Sequence, residues 1–455
     1  MQKVPIFYKI IFMALLFYLS QFFFSTPYSF GQETENASLP IGKLTLDEAK
    51  KNAIKNNPGI KSFLARIEIA TARLKQTRSS WWPTIDVGCN YGFNRASIQP
   101  DWQPATRFRD SYQEFNGKIA GQWLVFDGFA RQARILAARY QQERSRQDHS
   151  EVRRLLLQAV ATAFYQAQLA VEKMTIAQQD QTFNRRLEDD ARKRWQVGSS
   201  PEAEMLNFSV KALTAEADFI ESRRTFLVAF VLLAELMDID QANICEESYP
   251  VQATKGKLSQ YPLDFNSEIE YAMQNRPDLL ALQQNELALE QKTIYEKGSF
   301  YPRLTLNAGI DYLKQMNIST VDQEERYQYA LLAANWRLFD GGLRKARISE
   351  ARAETEAIRQ QQEAKTATIK SGLKETINNA EMAYLTFEKQ FKIYELSRKI
   401  RDHVEKSYLV GAENLTRLNE AQTDFIKAKG AMVGSRIQYI LSIEYIHAET
   451  GRILF

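Results

Sequence analysis

Two aspartates close the same aromatic motif, Asp127 in WLVFDGF (Trp123 to Phe129) and Asp340 in WRLFDGG (Trp336 to Gly342). Paired carboxylates can divide general acid and base roles when they face one substrate. The other chemistry-bearing residues give such a pair no support. His149, His403 and His447 are the only histidines, and none has a second histidine three or four residues on, the spacing that puts two imidazoles on one helix face. Cys89 and Cys245 lie in segments of different character, so both are expected free. Neither a phosphate loop nor a nucleophile elbow is present. Asp127 and Asp340 occur once each, at equivalent points of a chain written twice. They read as architecture, and no enzyme, cofactor or metal is predicted.

The duplication is legible in spacing. Asn56-Asn-Pro58 matches Asn275-Arg-Pro277, a shift of 277 − 58 = 219, and Trp82-Pro83 matches Tyr301-Pro302 at the same shift. From the aromatic motifs onward the shift is 341 − 128 = 213, and it holds to Val197-Gly198 and Val410-Gly411. The difference places six extra residues of the first copy within Arg95 to Ser111, against Leu313 to Arg326 of the second. Both segments are expected to be surface loops. The copies span 44–237 and 263–455, joined by a linker at 238–262. Ahead of them, Lys3 and Lys9 precede the apolar run Ile10 to Leu19, and Ser29-Phe-Gly31 makes a small-x-small exit. Residues 1–31 therefore read as a signal peptide, with 32–43 as an N-terminal linker. A retained anchor is the alternative, although the run is short for a span of about 20 residues. Loss of the leader takes the formal charge from +4 to +2 (4 − 2 = 2), which gives no case for nucleic acid.

Each copy predicts a helix, a strand, a loop, a strand, a very long helix, a turn and a helix. After Pro83, Ile85, Val87, Cys89, Tyr91 and Phe93 alternate with polar or small residues, as Leu304, Leu306, Ala308, Ile310 and Tyr312 do after Pro302. Ile119, Trp123 and Val125 continue the pattern in the first copy, and Leu332, Trp336 and Leu338 in the second. From Ala130 to Val197 there are 68 residues without Gly or Pro, and Leu343 to Val410 has the same length with Gly372 inside. Helices of that length reach about 100 Å, far past an ordinary domain. A seam of Leu156, Val160, Ala163, Ala167, Ala170 and Met174 steps by four and three, repeated as Ile369, Leu373, Thr376, Ala380, Ala383 and Phe387. Four strands cannot close a membrane sheet alone, and an open edge leaves backbone groups unpaired in lipid. Three chains would supply twelve strands; six chains would also close.

The chain resembles the TolC-type outer-membrane efflux proteins. The residues that carry the resemblance are LTLDEAKKNAIKNNP (Leu44 to Pro58), the paired strand starts at Pro83 and Pro302, the paired FDG turns, and two hairpin tips, RWQVGSSPEAEML (Arg194 to Leu206) and SYLVGAENLTRLNEAQ (Ser407 to Gln422). The fold class so implied is an α+β membrane protein: four strands per chain in a trimeric twelve-stranded β-barrel, continued by an antiparallel α-helical coiled-coil tunnel. The implied function is a passive outer-membrane exit duct of a tripartite efflux pump or type I secretion system. Its partners would be two further copies, a periplasmic adaptor, an inner-membrane pump or secretion ATPase, and outer-membrane lipid. A periplasmic coiled-coil scaffold or adaptor without a pore is the competing reading.

The resemblance also assigns sites. Val197, Gly198, Val410 and Gly411 would form the adaptor-docking tips, and the glycines suit the left-handed residue that ends a helix. Glu204, Tyr408, Glu413, Arg417 and Glu420 are the tunnel-gate candidates. Glu204 stands where family members often carry a carboxylate, and Tyr408 matches a tyrosine able to pair with it. Glu413, Arg417 and Glu420 replace the family's basic residue followed by two acids, so an Arg417-Glu204 or Arg417-Glu420 pair is the expected substitute. The joints between barrel and helix are assigned to Trp123, Phe126, Asp127 and Gly128 and to Trp336, Phe339, Asp340 and Gly341. There the aromatics suit a membrane boundary, the aspartates suit helix caps and the glycines suit a bend.

Overall fold

The computed structural model describes residues 44–98, 108–239, 258–262, 264–317 and 323–454. The signal peptide, the N-terminal linker, Cys245 and most of the 238–262 linker lie outside the described residues.

In chain order the elements are α1 (Leu46–Asn56), α2 (Pro58–Ser79), β1 (Thr84–Ile98), β2 (Phe108–Phe126), α3 (Ala130–Gln196) and α4 (Glu202–Leu236). The second copy repeats them as α5 (Phe265–Asn275), α6 (Pro277–Gly298), β3 (Arg303–Asn317), β4 (Gln323–Asn335), α7 (Leu343–Leu409) and α8 (Leu415–Thr450). The single helix expected before each first strand is therefore two. Pro58 and Pro277 start the second of each pair, where a missing N–H costs nothing, while the residue before a proline is pushed out of helical geometry.

The four strands form one antiparallel sheet in the order β1-β2-β3-β4. Register puts Ile85 opposite Gly121, Trp123 opposite Leu306, and Leu306 opposite Leu332, so the apolar alternants share one face. Asp86, Lys118, Asn307 and Asp311 fall on the other. Ile85, Val87, Tyr91, Phe93, Ile119, Ile310 and Leu332 are all exposed.

The flanks of both expected loops are strand, 95–98 and 108–111 in the first copy and 313–317 and 323–326 in the second, while residues 99–107 and 318–322 lie outside the described residues. Arg95 pairs with Ser111 and Leu313 with Glu325, because a ladder can continue after its apolar alternation ends. Trp336 and Leu338 were expected within the fourth strand, yet β4 stops at Asn335 and both lie beyond it.

Both long helices contain 67 residues and fold back against the helix that follows, α3 with α4 and α7 with α8. Above the tips, α2, α3, α6 and α7 lie side by side in the order of the strands they serve. Lower down the order becomes α4, α3, α8 and α7. The predicted seams are the packed ones: Val160, Ala163, Ala167 and Ala170 are buried, as are Ile369, Leu373, Ala380 and Phe387. The main core sits at mid-height, where Phe164 of α3, Leu233 of α4 and Ile437 of α8 meet Ala49 and Ala53 of α1.

Candidate functional site: two joints and two hairpin tips

At the first joint, the Asp127 carboxylate accepts the Arg131 backbone N–H at 2.8 Å, filling a free amide of the first turn of α3. Asp340 accepts from Gly342 and Arg344 N–H, both at 3.1 Å, at the start of α7. Gly128 and Gly341 both have positive φ, 68° and 66°. A second left-handed residue follows each, Phe129 at 67° and Gly342 at 92°. Two successive left-handed residues turn the strand direction into the helix axis. The indole N–H of Trp123 donates to the Trp81 carbonyl at 3.0 Å, and that of Trp336 to the equivalent Phe300 carbonyl at 3.0 Å. Phe126 ends β2 against Phe129 and Tyr301, whereas Phe339 projects into solvent.

Sequence reasoning missed the residue that ties each joint together. The Arg131 guanidinium donates to the carbonyls of Ser80 (3.1 Å), Leu124 (2.7 Å) and Val125 (3.4 Å) and stacks on Trp81 at 3.7 Å. Arg344 reaches the matching Ser299 (3.3 Å) and Leu338 (3.2 Å) carbonyls, covers the Phe300 ring at 4.6 Å and pairs with Asp340 at 2.7 Å. Arg131 fastens the end of β2, and Arg344 the segment that follows β4, to the end of the preceding helix and the start of the long helix. The signal was available: the repeated motif is Asp-Gly-x-x-Arg in both copies.

At the far end, α3 and α7 stop with the same geometry. Gly198 and Gly411 have φ of 75° and 78°. Ser199 N–H bonds Arg194 O and Ala412 N–H bonds Ser407 O, each at 2.8 Å, while the glycine N–H groups bond Trp195 O and Tyr408 O. These are Schellman ends, which need a left-handed residue at the glycine position. Val197 and Val410 are left 78% and 80% exposed. Inside, Leu187, Phe208, Tyr408, Leu415 and Leu418 pack the two hairpins into one cluster.

The gate candidates are only partly brought together. Tyr408 is buried, and its hydroxyl is bonded by Arg194, whose guanidinium also lies 4.9 Å from the ring centre. The expected Tyr408-Glu204 pair is not made, since the arginine at the end of α3 occupies that position. Burial pushes the Tyr408 phenol up, with Asp190 and Glu204 adding to the effect and Arg194 opposing it. Arg417 pairs with Glu420 at 3.2 Å and not with Glu204. Both partners of that pair are about half exposed, so it contributes little to stability. Glu413 is exposed beyond Gly411. Among the described residues, no group of His, Cys, Asp and Glu could hold a metal ion, and no helix is long and apolar enough to cross a membrane.

An exposed apolar sheet face joined directly to paired helices of about 100 Å defines a class of protein, a membrane-seated sheet prolonged by a helical duct wall. The chain belongs to the outer membrane efflux protein family, whose model matches residues 50–237 and 269–448. Protein CyaE of Bordetella pertussis is 24% identical over 343 residues, 73% of this chain and 70% of that protein. The CmeC outer membrane channel of Campylobacter jejuni shares the fold with a TM-score of 0.78 at 15% identity, covering 93% of this chain and 90% of that one. A membrane protein from Pseudomonas aeruginosa gives 0.75 at 18% identity, over 89% and 90% of the two chains. The family is one of outer membrane efflux proteins, and CmeC is an outer membrane channel. The protein is an outer-membrane exit component for efflux or secretion.

Proposed function

We propose that three copies close into one barrel and one tunnel, and that the assembly is the passive duct through which an inner-membrane pump, coupled by a periplasmic adaptor, exports its substrate. The observation that carries this reading is that the chain is open on the same two sides at every height. The sheet ends in the unpaired edges of β1 and β4, and the helical layer ends in α2 and α7 above and in α4 and α7 below. An unpaired sheet edge is not tolerated in lipid, so β1 of one copy must meet β4 of the next.

Along the open helices run uncovered apolar rows. On α4, Leu206, Val210, Leu213, Ile220 and Val231 are exposed at heptad spacing; on α7, Met382, Leu385, Ile393, Leu396 and Ile400 are exposed, the last three at steps of three and four. The rows sit at matching height above the tips, Val210 being 13 residues after Val197 and Ile400 being 10 before Val410 (210 − 197 and 410 − 400). A pore-free scaffold gives the apolar sheet face no role. The test is the mass of the detergent-solubilised complex together with its conductance in a planar bilayer. Three chains and a conducting pore are expected, with Ile393→Asp plus Leu396→Asp shifting the complex toward single chains. A non-conducting wild-type monomer would sink the proposal.

The tips are the proposed docking surface, with Val197 and Val410 as apolar handles and Gly198 and Gly411 letting the partner approach. Gly198→Arg combined with Gly411→Arg is expected to abolish cross-linking to the adaptor. Intact cross-linking would remove the tips from docking. The charges behind them, Glu204, Tyr408, Glu413, Arg417 and Glu420, are the proposed gate. Arg417→Ala is expected to change single-channel conductance, and an unchanged value excludes Arg417.

A further inference from the structure

Between the two joints lies a cavity of about 730 Å³, walled by the start of β3, the C-terminal end of α6 and the first turns of α3 and α7. Its charge is one-sided. Arg134, Arg303, Arg337 and Arg347 line it, and among the described residues none of the four forms an ion pair. Arg344 is also in the wall but is engaged by Asp340. Asp127 and Glu296 are the other carboxylates there, so five arginines face three acids. Asp127 is further committed to capping α3. Ala130 and Leu343, the first residues of both long helices, belong to the wall, so the positive ends of two helix dipoles add to the field.

The four unpaired arginines are solvent-exposed round an open cleft, so their guanidinium groups remain free to make bidentate, charge-assisted hydrogen bonds to an anion. The cavity lies at the base of the polar sheet face. Arg303 pairs with Asn335 in the ladder, and Leu124 with Thr305, all of them on the side opposite Trp123, Leu306 and Leu332.

We propose that this cavity is an anion site on the inner surface of the duct, at the passage from barrel to tunnel, and that it takes solutes bearing several phosphate or carboxylate groups. Its luminal placement rests on the duct reading above; the site itself rests on the arginines. Repeated by threefold symmetry, it forms a basic collar that an exported polyanion must pass.

The experiment uses the purified full-length complex, with inorganic triphosphate as the probe and calorimetric titration as the readout. Wild type is expected to bind triphosphate. Arg303→Gln, Arg337→Gln and Arg347→Gln together are expected to weaken binding by at least about tenfold, while Arg192→Gln, exposed far along α3, leaves it unchanged. If the triple variant does not assemble, the single Arg303→Gln and Arg347→Gln variants must each bind more weakly than wild type. Equal binding by wild type and the arginine variants, or no binding by wild type, overturns the site. Binding of phosphatidylglycerol doped into the micelles, without triphosphate binding, overturns the solute assignment. The same preparations go into planar bilayers. A conducting pore that fails to bind triphosphate removes the collar and leaves the duct, whereas wild type without conductance removes the duct and with it the collar's place in a lumen.

Discussion

The two joints share one design and differ in what surrounds them. At the first, a Cβ placed on Gly128 would lie 2.5 Å from the Gly298 carbonyl oxygen and 2.7 Å from Tyr301 Cβ; at Gly341 it would meet nothing within 4 Å. The first joint is packed by the second half of the same chain. The second stands at the open side, with Phe339 and Leu338 uncovered. The arginines follow suit. Arg131 is 4% exposed and spends its guanidinium on backbone carbonyls, while Arg344 retains an ion pair with Asp340. A duplicated motif thus keeps its internal bonds and loses its environment, because only one of the two copies has a neighbour within the chain.

The sharpest way to break this comparison is to add one methyl group to each joint. Gly128→Ala combines overlap with fixed backbone and left-handed strain, and should cost about 4 kcal/mol. Gly341→Ala carries only the backbone strain, about 1–2 kcal/mol. Thermal unfolding of both variants in detergent checks the ratio. Equal losses would mean that the second joint is as tightly enclosed as the first, by a neighbouring chain.

The elbows between the paired short helices differ as well. In the first copy Asn56 and Asn57 donate to the Met237 and Leu236 carbonyls at 3.4 and 3.3 Å, at the end of α4. In the second, the buried Arg276 binds Asp278 through two bonds, at 3.0 and 2.8 Å, and Glu449 at 2.6 Å, while Lys365 adds a contact to Asp278 at 2.8 Å. The same connection to the last helix is made by amides in one copy and by buried charge in the other. Arg276→Met leaves Glu449 without its cation and Asp278 with Lys365 alone, and should cost about 3 kcal/mol, against about 1 kcal/mol for Asn57→Ala at its cap. Burial pushes the Asp278 carboxyl up, but Arg276 and Lys365 outweigh it and hold it well below the usual range. Its contribution is therefore present above the unfolded value of about 3.9 and lost as pH falls through the folded value. Stability curves between pH 5 and 3, at about unit intervals, should fall for wild type and flatten for Asp278→Asn.

How far these features could be read from sequence depends on whether they repeat along the chain or arise across it. The FDG motifs, the glycine tips and the helical seams announce themselves by spacing, since each is set by a residue type within one element. Arg131 and Arg344 sat four residues from the aspartates in plain view, but their partners are carbonyls from Ser80 and Ser299, which no side-chain pattern marks. Tyr408 was matched to Glu204 by position, yet the facing residue is Arg194, and which helix faces meet depends on the packing of two hairpins. Strand ends beyond Arg95 and Leu313 escaped because alternation reports an apolar environment, while the ladder needs only backbone.

The smallest expected effect comes from a position that the copies treat in opposite ways. Asp180 of α3 corresponds to Ile393 of α7 (393 − 180 = 213). The aspartate is half-buried between helices, accepting from Gln422 at 3.0 Å, and the isoleucine is exposed on the open side. Burial raises the Asp180 carboxyl above its usual value; Gln422 opposes the shift and nearby Asp218 adds to it. The folded chain therefore holds this proton more tightly than the unfolded one, and stability declines as pH rises from about 3.9 through the raised value. Asp180→Asn keeps an acceptor for Gln422 and removes the charge. At neutral pH it should raise Tm by about 2 °C, and the gain should vanish below about pH 4, where the wild-type carboxyl is protonated in both states. A gain that persists in acid would assign the effect to packing and not to charge. A loss at neutral pH would mean that the ionised carboxylate, held by Gln422 of α8, stabilises the hairpin.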